Sequence, residues 1–394
     1  MLFYISIIMI EHLKKLLDRK QDVFTLGLRQ IFDSLGNPTV EAVVNYNYRA
    51  SCPTGTSKSS FAVDSLEVQK AINNFYKIRQ KFIGRMSQIE FDSLLRDNLD
   101  KLGSSITTAI SLAFFSGSFS LKYTTETFPK LAGKVIGGGM HAKSKKTQIQ
   151  EFLVIPSEPT IRECIKTNFK IWRDVGQMLR KIGHVGMDYE GGWTADITDE
   201  GALNIITEVI EKKNYNVKIG IDAAASSWYD EKKRRYIYNG EKMSKNDLVK
   251  FFKSLVKRYD IFYLEDPFDE RHFDAFAKLK RSLKGRLVVG DDLIATNPDR
   301  MREAIKKKSI SGVIIKPNQI GTVTDAFTVM EMADNANIVP VVSHRSAETC
   351  SATVSKMAMF GSIAKFGIAG IRIAKLNELV RLWDMSENPV MKEL

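Results

Sequence analysis

Five short apolar runs in the second half of the chain each end in a residue able to do chemistry. VKIGID ends at Asp222, IFYLE at Glu265, LVVGD at Asp291, GVIIK at Lys316 and VPVVSH at His344. Such runs read as strands of a parallel sheet buried on both faces, whose carboxyl ends gather side chains on one rim. A single carboxylate at a strand end reads equally well as a cap on the next helix. Three at consecutive ends repel one another unless a cation neutralises them. Carboxylate oxygens without cysteine or clustered histidine select a hard divalent ion such as Mg²⁺. Lys316, on the next strand, suits proton abstraction, because nearby cations and apolar strands push a lysine toward its neutral form. Its plainer reading is a salt bridge to one of the carboxylates. His344, Arg345 and Ser346 follow in a row, and a guanidinium with a hydroxyl suits a phosphate or carboxylate. Lys365 adds a cation one strand further on, so the rim reads as metal on one side and anion clamp on the other.

Three glycine-marked loops add candidates. CPTGTSKSS (52–60) carries Ser57 and could close over a bound anion. GGGMHA (137–142) presents His141 on a flexible turn, which reads equally as a plain surface loop. Glu190 in DYEGGW precedes two glycines. No phosphate-loop or dinucleotide fingerprint is present.

These side chains need strands and helices in alternation to hold them. Helical spacing is expected at 158–183, 198–214, 244–259, 298–308, 322–336, 347–361 and 372–383, between the apolar runs. Ser244 with Asp247 predicts a capping box, and Leu248, Phe251, Phe252, Leu255, Val256 and Tyr259 form one stripe behind it. Repeated units of this kind favour a β/α barrel over an open sheet. The first part of the chain differs. A short amphipathic helix at 10–20 precedes two or three strands with a turn at 35–38. Helices at 61–81 and 91–102 follow, and a third opens near residue 103. Strands followed by helices indicate a separate α+β domain. The division expected is an N-terminal α+β capping domain at 1–126 and a β/α (TIM-like) barrel at 127–394.

The whole composition sets bounds on partners. A chain of 394 residues with 44% hydrophobic and 26% charged residues is globular rather than disordered. The net charge of +12 points to anionic partners, but the basic residues are scattered, as in EKKRRY and REAIKKKS, which reads as solvated faces. A dedicated nucleic-acid role is therefore not expected. Cys52, Cys164 and Cys350 have no metal spacing and read as free thiols in a reducing compartment. The opening MLFYISIIMI is too short to span a membrane and lacks the basic start and cleavage site of a secretion signal, so a cytoplasmic protein is expected. Met9 is an alternative start.

Several segments carry a resemblance. IIKPNQIGTVTDA is very similar to the signature of enolases, and SHRSAET, LEDPFDE, GDDLIATNP and DSLGNPTVEA each resemble an enolase segment in the expected order. The resemblance runs from about residue 30 to 383 and is that of a divergent, archaeal-like member. It implies a lyase of glycolysis and gluconeogenesis that dehydrates 2-phosphoglycerate reversibly to phosphoenolpyruvate with two Mg²⁺, as a homodimer or higher assembly. By the same resemblance Asp222, Glu265 and Asp291 hold the first metal and Ser57 the second. Lys316 takes the proton, Glu190 assists hydroxide departure with Glu151, and His141 closes on substrate. Arg345 and Ser346 hold the phosphate with His344 adjacent, Lys365 the carboxylate, and Gln150 also lines the substrate site. TGTS replaces the usual SGAS, Leu35 stands where enolases usually carry Arg, and Tyr189 replaces a carboxylate beside Glu190. The segment after Lys365 is about two residues short. Leu35 and this shortening fall in regions that support the family's subunit interface. The alternative is a retired enolase-like protein that binds a partner through its basic surface.

Overall fold

Strands apolar on both faces must be covered on both sides, and a closed ring flanked by helices does this. The computed structural model describes residues 2–55, 59–120, 122, 124, 126–141 and 147–394. Among these, eight strands close a ring: Lys130–Gly137, Glu151–Pro156, Val217–Asp222, Ile261–Glu265, Leu287–Gly290, Gly312–Ile315, Val339–Ser343 and Ile363–Lys365. Each pairs with the next, and the last pairs with the first. The expected barrel is present, with one departure from simple alternation. The described residues of the connection between the first two strands form only a single short turn of helix, Gly139–His141, and the second strand runs back antiparallel to both of its neighbours. Helices Ile161–Ile182 and Asp199–Lys213 then lead to the third strand, after which strand and helix alternate.

That reversal has a positional result. An antiparallel strand begins at the rim where its parallel neighbours end. Glu151, its first residue, is paired with Gly137 on one side and Asp222 on the other, and Asp222 is paired with Glu265.

The barrel interior is layered. Ala132, Leu153, Tyr263, Val289, Ile314, Val341 and Ile363 form one apolar cluster inside the ring. Side chains alternate along a strand, so residues two positions toward the rim also face inward. Those residues are Lys134, Glu151, Glu265, Asp291, Lys316, Ser343 and Lys365. Below Asp222 the chain has Gly220, where a Cβ would lie 3.1 Å from the Tyr263 Cβ. The aromatic ring takes that space. A dry floor with a charged layer on top follows directly from the two-residue period.

The helix expected at 244–259 is Lys245–Tyr259, with the Ser244–Asp247 capping box complete. The helix expected at 347–361 shrinks to Val354–Ala358. Upstream of it the Glu348 carboxylate accepts the backbone N–H groups of Arg345 and Thr349, each at 3.0 Å, and so replaces helical bonding. Lys375 Nζ clamps the same carboxylate at 2.6 Å in a fully buried pair.

The N-terminal part begins with helix Leu2–Asp18, longer than expected. Strands Leu26–Phe32, Pro38–Val44 and Tyr48–Ser51 form an antiparallel sheet covered by helix Leu99–Ser118. Gly103 (φ +72°) is non-helical and divides that stretch into two helices meeting at a kink, so the longer one opens where a helix start near residue 103 was expected. A Cβ at Gly103 would lie 2.7 Å from the Leu66 nitrogen. The three cysteines are unpaired, and no described helix is long and apolar enough to cross a membrane.

Candidate active site

The charged layer opens into a cleft lined almost wholly by polar and charged side chains. Strand order fixes who faces whom. In an eight-stranded ring the second and sixth strands are diametrically opposed, so Glu151 and Lys316 stand across the mouth from each other. Strands three, four and five, carrying Asp222, Glu265 and Asp291, fill one arc between them. His344, Arg345, Ser346 and Lys365, from strands seven and eight, occupy the other arc. His141, Gln150 and Glu190 line the cleft from the loops around the second strand.

Lys365 reaches across the mouth. Its Nζ lies 2.8 Å from Glu151 Oε2, 2.9 Å from Asp222 Oδ2 and 2.8 Å from Glu265 Oε2. Burial works against its charge, but these carboxylates hold it well above the ordinary lysine range. Asp291 faces Lys316 through a short ion pair and accepts Gln319 Nε2 at 3.1 Å. Burial disfavours both charges of that pair, yet each partner outweighs it, raising Lys316 and lowering Asp291, so the salt bridge of the plainer reading is present and the expected drift of Lys316 toward its neutral form is reversed. Oxygens of Asp266, Asp291 and Asp292 lie within 4.8 Å of one another. Burial and the neighbouring Asp291 push Asp292 up to about 7.

This acidic arc is short of positive charge. Burial and Asp222 push Glu265 well above the carboxylate range despite Lys365. Its Oε1 is buried without a hydrogen-bond partner. An orphaned carboxylate oxygen among hard oxygen donors fits a divalent cation.

The opposite side is held differently. Glu190 Oε2 lies 2.7 Å from Lys134 Nζ and 3.6 Å from His141 Nδ1. Burial alone raises Glu190; the Lys134 ammonium leads the charges that outweigh it and hold the acid well below its usual range. Glu151, burdened by burial and relieved in part by Lys365, is pushed up to about 6.

The anion arc is built by backbone and packing. Arg345 lies against Gly55 of the N-terminal loop, where a Cβ would fall 1.9 Å from its Nη2. Thr54 bridges to Ala347, and beyond the loop Ser59 Oγ donates to Glu270 Oε2 at 2.6 Å. Ser57 lies outside the described residues. Arg372 is fully buried behind the clamp; its Nη2 donates to the carbonyls of Arg345 at 3.1 Å and Ser346 at 2.7 Å. Its Nε donates to His344 Nδ1 at 2.8 Å, so that nitrogen carries no proton.

Burial and Arg372 hold His344 well below its ordinary value of 6.5 in the folded protein. As pH falls through the ordinary value, the unfolded chain binds a proton that the folded chain refuses, so stability is lost. The urea midpoint is expected to drop between about pH 7 and about pH 5, and to drop less in His344→Gln. Equal slopes in both proteins would assign the effect to another group.

Sequence reasoning missed several of these groups. Lys134 is the one charged residue among the apolar residues of AGKVIG and could have been found by asking why a strand carries it. Asp188 corrects the expectation about Tyr189. Its side chain is fully buried and its Oδ1 accepts the Glu190 and Gly192 N–H groups at 2.9 Å each, so a carboxylate does support Glu190 from two positions upstream. Arg372 had no local signal, since its partners lie 26 to 28 residues earlier and, at the Tyr189 carbonyl, 183 residues earlier.

Known proteins resemble this chain over most of its length. Residues 125–390 match the family model described as enolase, C-terminal TIM barrel domain. The chain is 36% identical to the enolase of Picrophilus torridus over 393 residues, covering 90% of this chain and 97% of that one. It is 37% identical to the enolase of Methanosphaera stadtmanae, covering 93% and 98%. Identity to the enolase of Methanocorpusculum labreanum is 36%, covering 92% and 98%. With its barrel segment matched and its relatives aligned over nearly their whole length, the chain belongs to the enolase family of carbon–oxygen lyases.

Proposed function

We propose that the chain dehydrates 2-phosphoglycerate reversibly to phosphoenolpyruvate, using Mg²⁺. The observation that carries this reading is the opposition of Lys316 and the Glu151–Glu190 pair across one cleft, with acidic and basic arcs between them. Elimination needs a base at one carbon and an acid at its neighbour, on opposite sides of a substrate held at both ends. Lys316 takes the C2 proton; the C–H electrons form the double bond; the C3–O bond breaks. The hydroxide leaving C3 takes a proton from the Glu190–Glu151 pair, whose Glu151 is the member pushed up to about 6, and departs as water. Arg345 and Ser346 bind the phosphate, Lys365 and Gln150 orient the carboxylate end, and His141 covers the site. Asp222, Glu265 and Asp291 would hold one Mg²⁺, and Ser57 a second. Bound there, the cations stabilise the negative charge that gathers on the substrate carboxylate.

The retired-binder reading has no observation in its favour, since the described base, acid pair and acidic donors all face one cleft. Purified protein should form phosphoenolpyruvate, followed by its ultraviolet absorbance, only when Mg²⁺ is present. Absence of turnover by well-folded, Mg²⁺-supplied protein would defeat the proposal.

A further inference from the structure

Lys134 is a buried cation inside the barrel that the reaction as derived does not use. Its side chain is 1% exposed and does not line the cleft. Its Nζ lies 2.7 Å from Asp188 Oδ2, 2.7 Å from Glu190 Oε2, 3.0 Å from His141 Nδ1 and 3.6 Å from Glu151 Oε1. The cradle around it is built to fit. A Cβ at Gly137 would fall 1.9 Å from Asp188 Oδ2, and one at Gly192 would fall 3.1 Å from Lys134 Cε. Two glycines from different elements leave the room that this lysine and its aspartate occupy.

The contacts dictate what Lys134 does. An ammonium group only donates, so His141 Nδ1, nearer to Lys134 than to Glu190, must accept. The proton of a neutral His141 ring then resides on Nε2, which is buried and has no partner among the described residues. Because His141 lines the cleft, that N–H is left as a donor for an anionic substrate. The same ammonium fixes the Glu190 oxygen that it holds. Asp188 in turn anchors Lys134 from behind while its other oxygen ties down the Glu190 backbone.

We propose that Lys134 is a positioning residue that sets the charge and orientation of Glu190 and the tautomer of His141, so that one buried cation organises the whole hydroxide-leaving side. The proposal rests on the dehydratase reading above. It assigns Lys134 to the second half of the elimination and not to proton abstraction, which Lys316 carries out across the barrel.

Two rates separate these halves: exchange of the substrate C2 proton with deuterated solvent, and formation of phosphoenolpyruvate. Lys134→Met is expected to slow product formation about 10²-fold, as loss of an organised acid does, while C2 exchange continues at the wild-type rate. Lys134→Met/Asp188→Asn removes the buried charge as a pair and keeps the fold measurable if the single variant does not fold. It is expected to regain thermal stability but not product formation. If the double variant recovers wild-type turnover, Lys134 merely balances Asp188 and the proposal is overturned. Parallel loss of exchange and elimination in folded double variant would overturn it equally. Wild-type protein showing neither rate would instead withdraw the dehydratase reading itself.

Discussion

Lys316→Ala is expected to lower the rate of phosphoenolpyruvate formation about 10³-fold, the scale of a lost general base. The lysine directly follows the last residue of the sixth strand, two residues above the apolar floor at Ile314, so its position is set by the strand end and the helix that starts there. Opposite it the acid pair cannot reach the same carbon, and no other described cation is placed to substitute. Lys365 is occupied by three carboxylates, and Arg345 cannot lose its proton. The substitution also leaves Asp291 without its ion pair, so a lower melting temperature is expected alongside. C2 exchange separates the two effects: a folded variant that still exchanges the proton at the wild-type rate would remove Lys316 from the role of base.

Removing Mg²⁺ is expected to abolish turnover, and restoring it to stabilise the fold. The acidic arc holds Asp222, Glu265, Asp291, Asp292 and Asp266, with the described lysines Lys365 and Lys316 ion-paired to three of them, and the Glu265 Oε1 has no hydrogen-bond partner among the described residues. A ligand that binds the folded chain alone at 100 times its dissociation constant adds about 2.7 kcal/mol. Mg²⁺ should therefore raise the melting temperature of chelator-treated protein, a readout independent of activity. Glu265→Gln should reduce that shift, because a neutral amide carries no charge to attract the cation and offers it a weaker oxygen donor. A melting curve indifferent to Mg²⁺ in the wild-type chain would contradict the assignment.

Much of this site is legible in the sequence because parallel strands write their ends plainly. An apolar run broken by Asp, Glu or Lys marks the rim, and Asp222, Glu265, Asp291, Lys316 and His344 all fall there. The first two strands are not legible in the same way. Lys130–Gly137 carries a charge in its middle and ends in glycines, and the second runs antiparallel, so its acid lies at the start and not the end. A rule that looks for chemistry after a strand overlooks a strand whose chemistry comes first. Arg372 and the Lys375–Glu348 pair are hidden for another reason. Burial makes them structural, and burial of a charge is decided by distant partners that no local pattern displays. The missing helix before residue 354 has the same origin, since one carboxylate takes the backbone donors that a helix would have used.

The layering of the barrel also governs how this protein can change length. A single residue inserted in or deleted from any barrel strand would rotate every side chain beyond it to the other face. Lys365 would leave the mouth and an apolar neighbour would take its place, and the same exchange would befall Lys316 or Glu151. Loops beyond the rim impose no such parity. Insertions and deletions compatible with activity are therefore confined to those loops, and the segment after Lys365, about two residues short of the usual enolase pattern, lies beyond the rim where shortening leaves the inward layer in register.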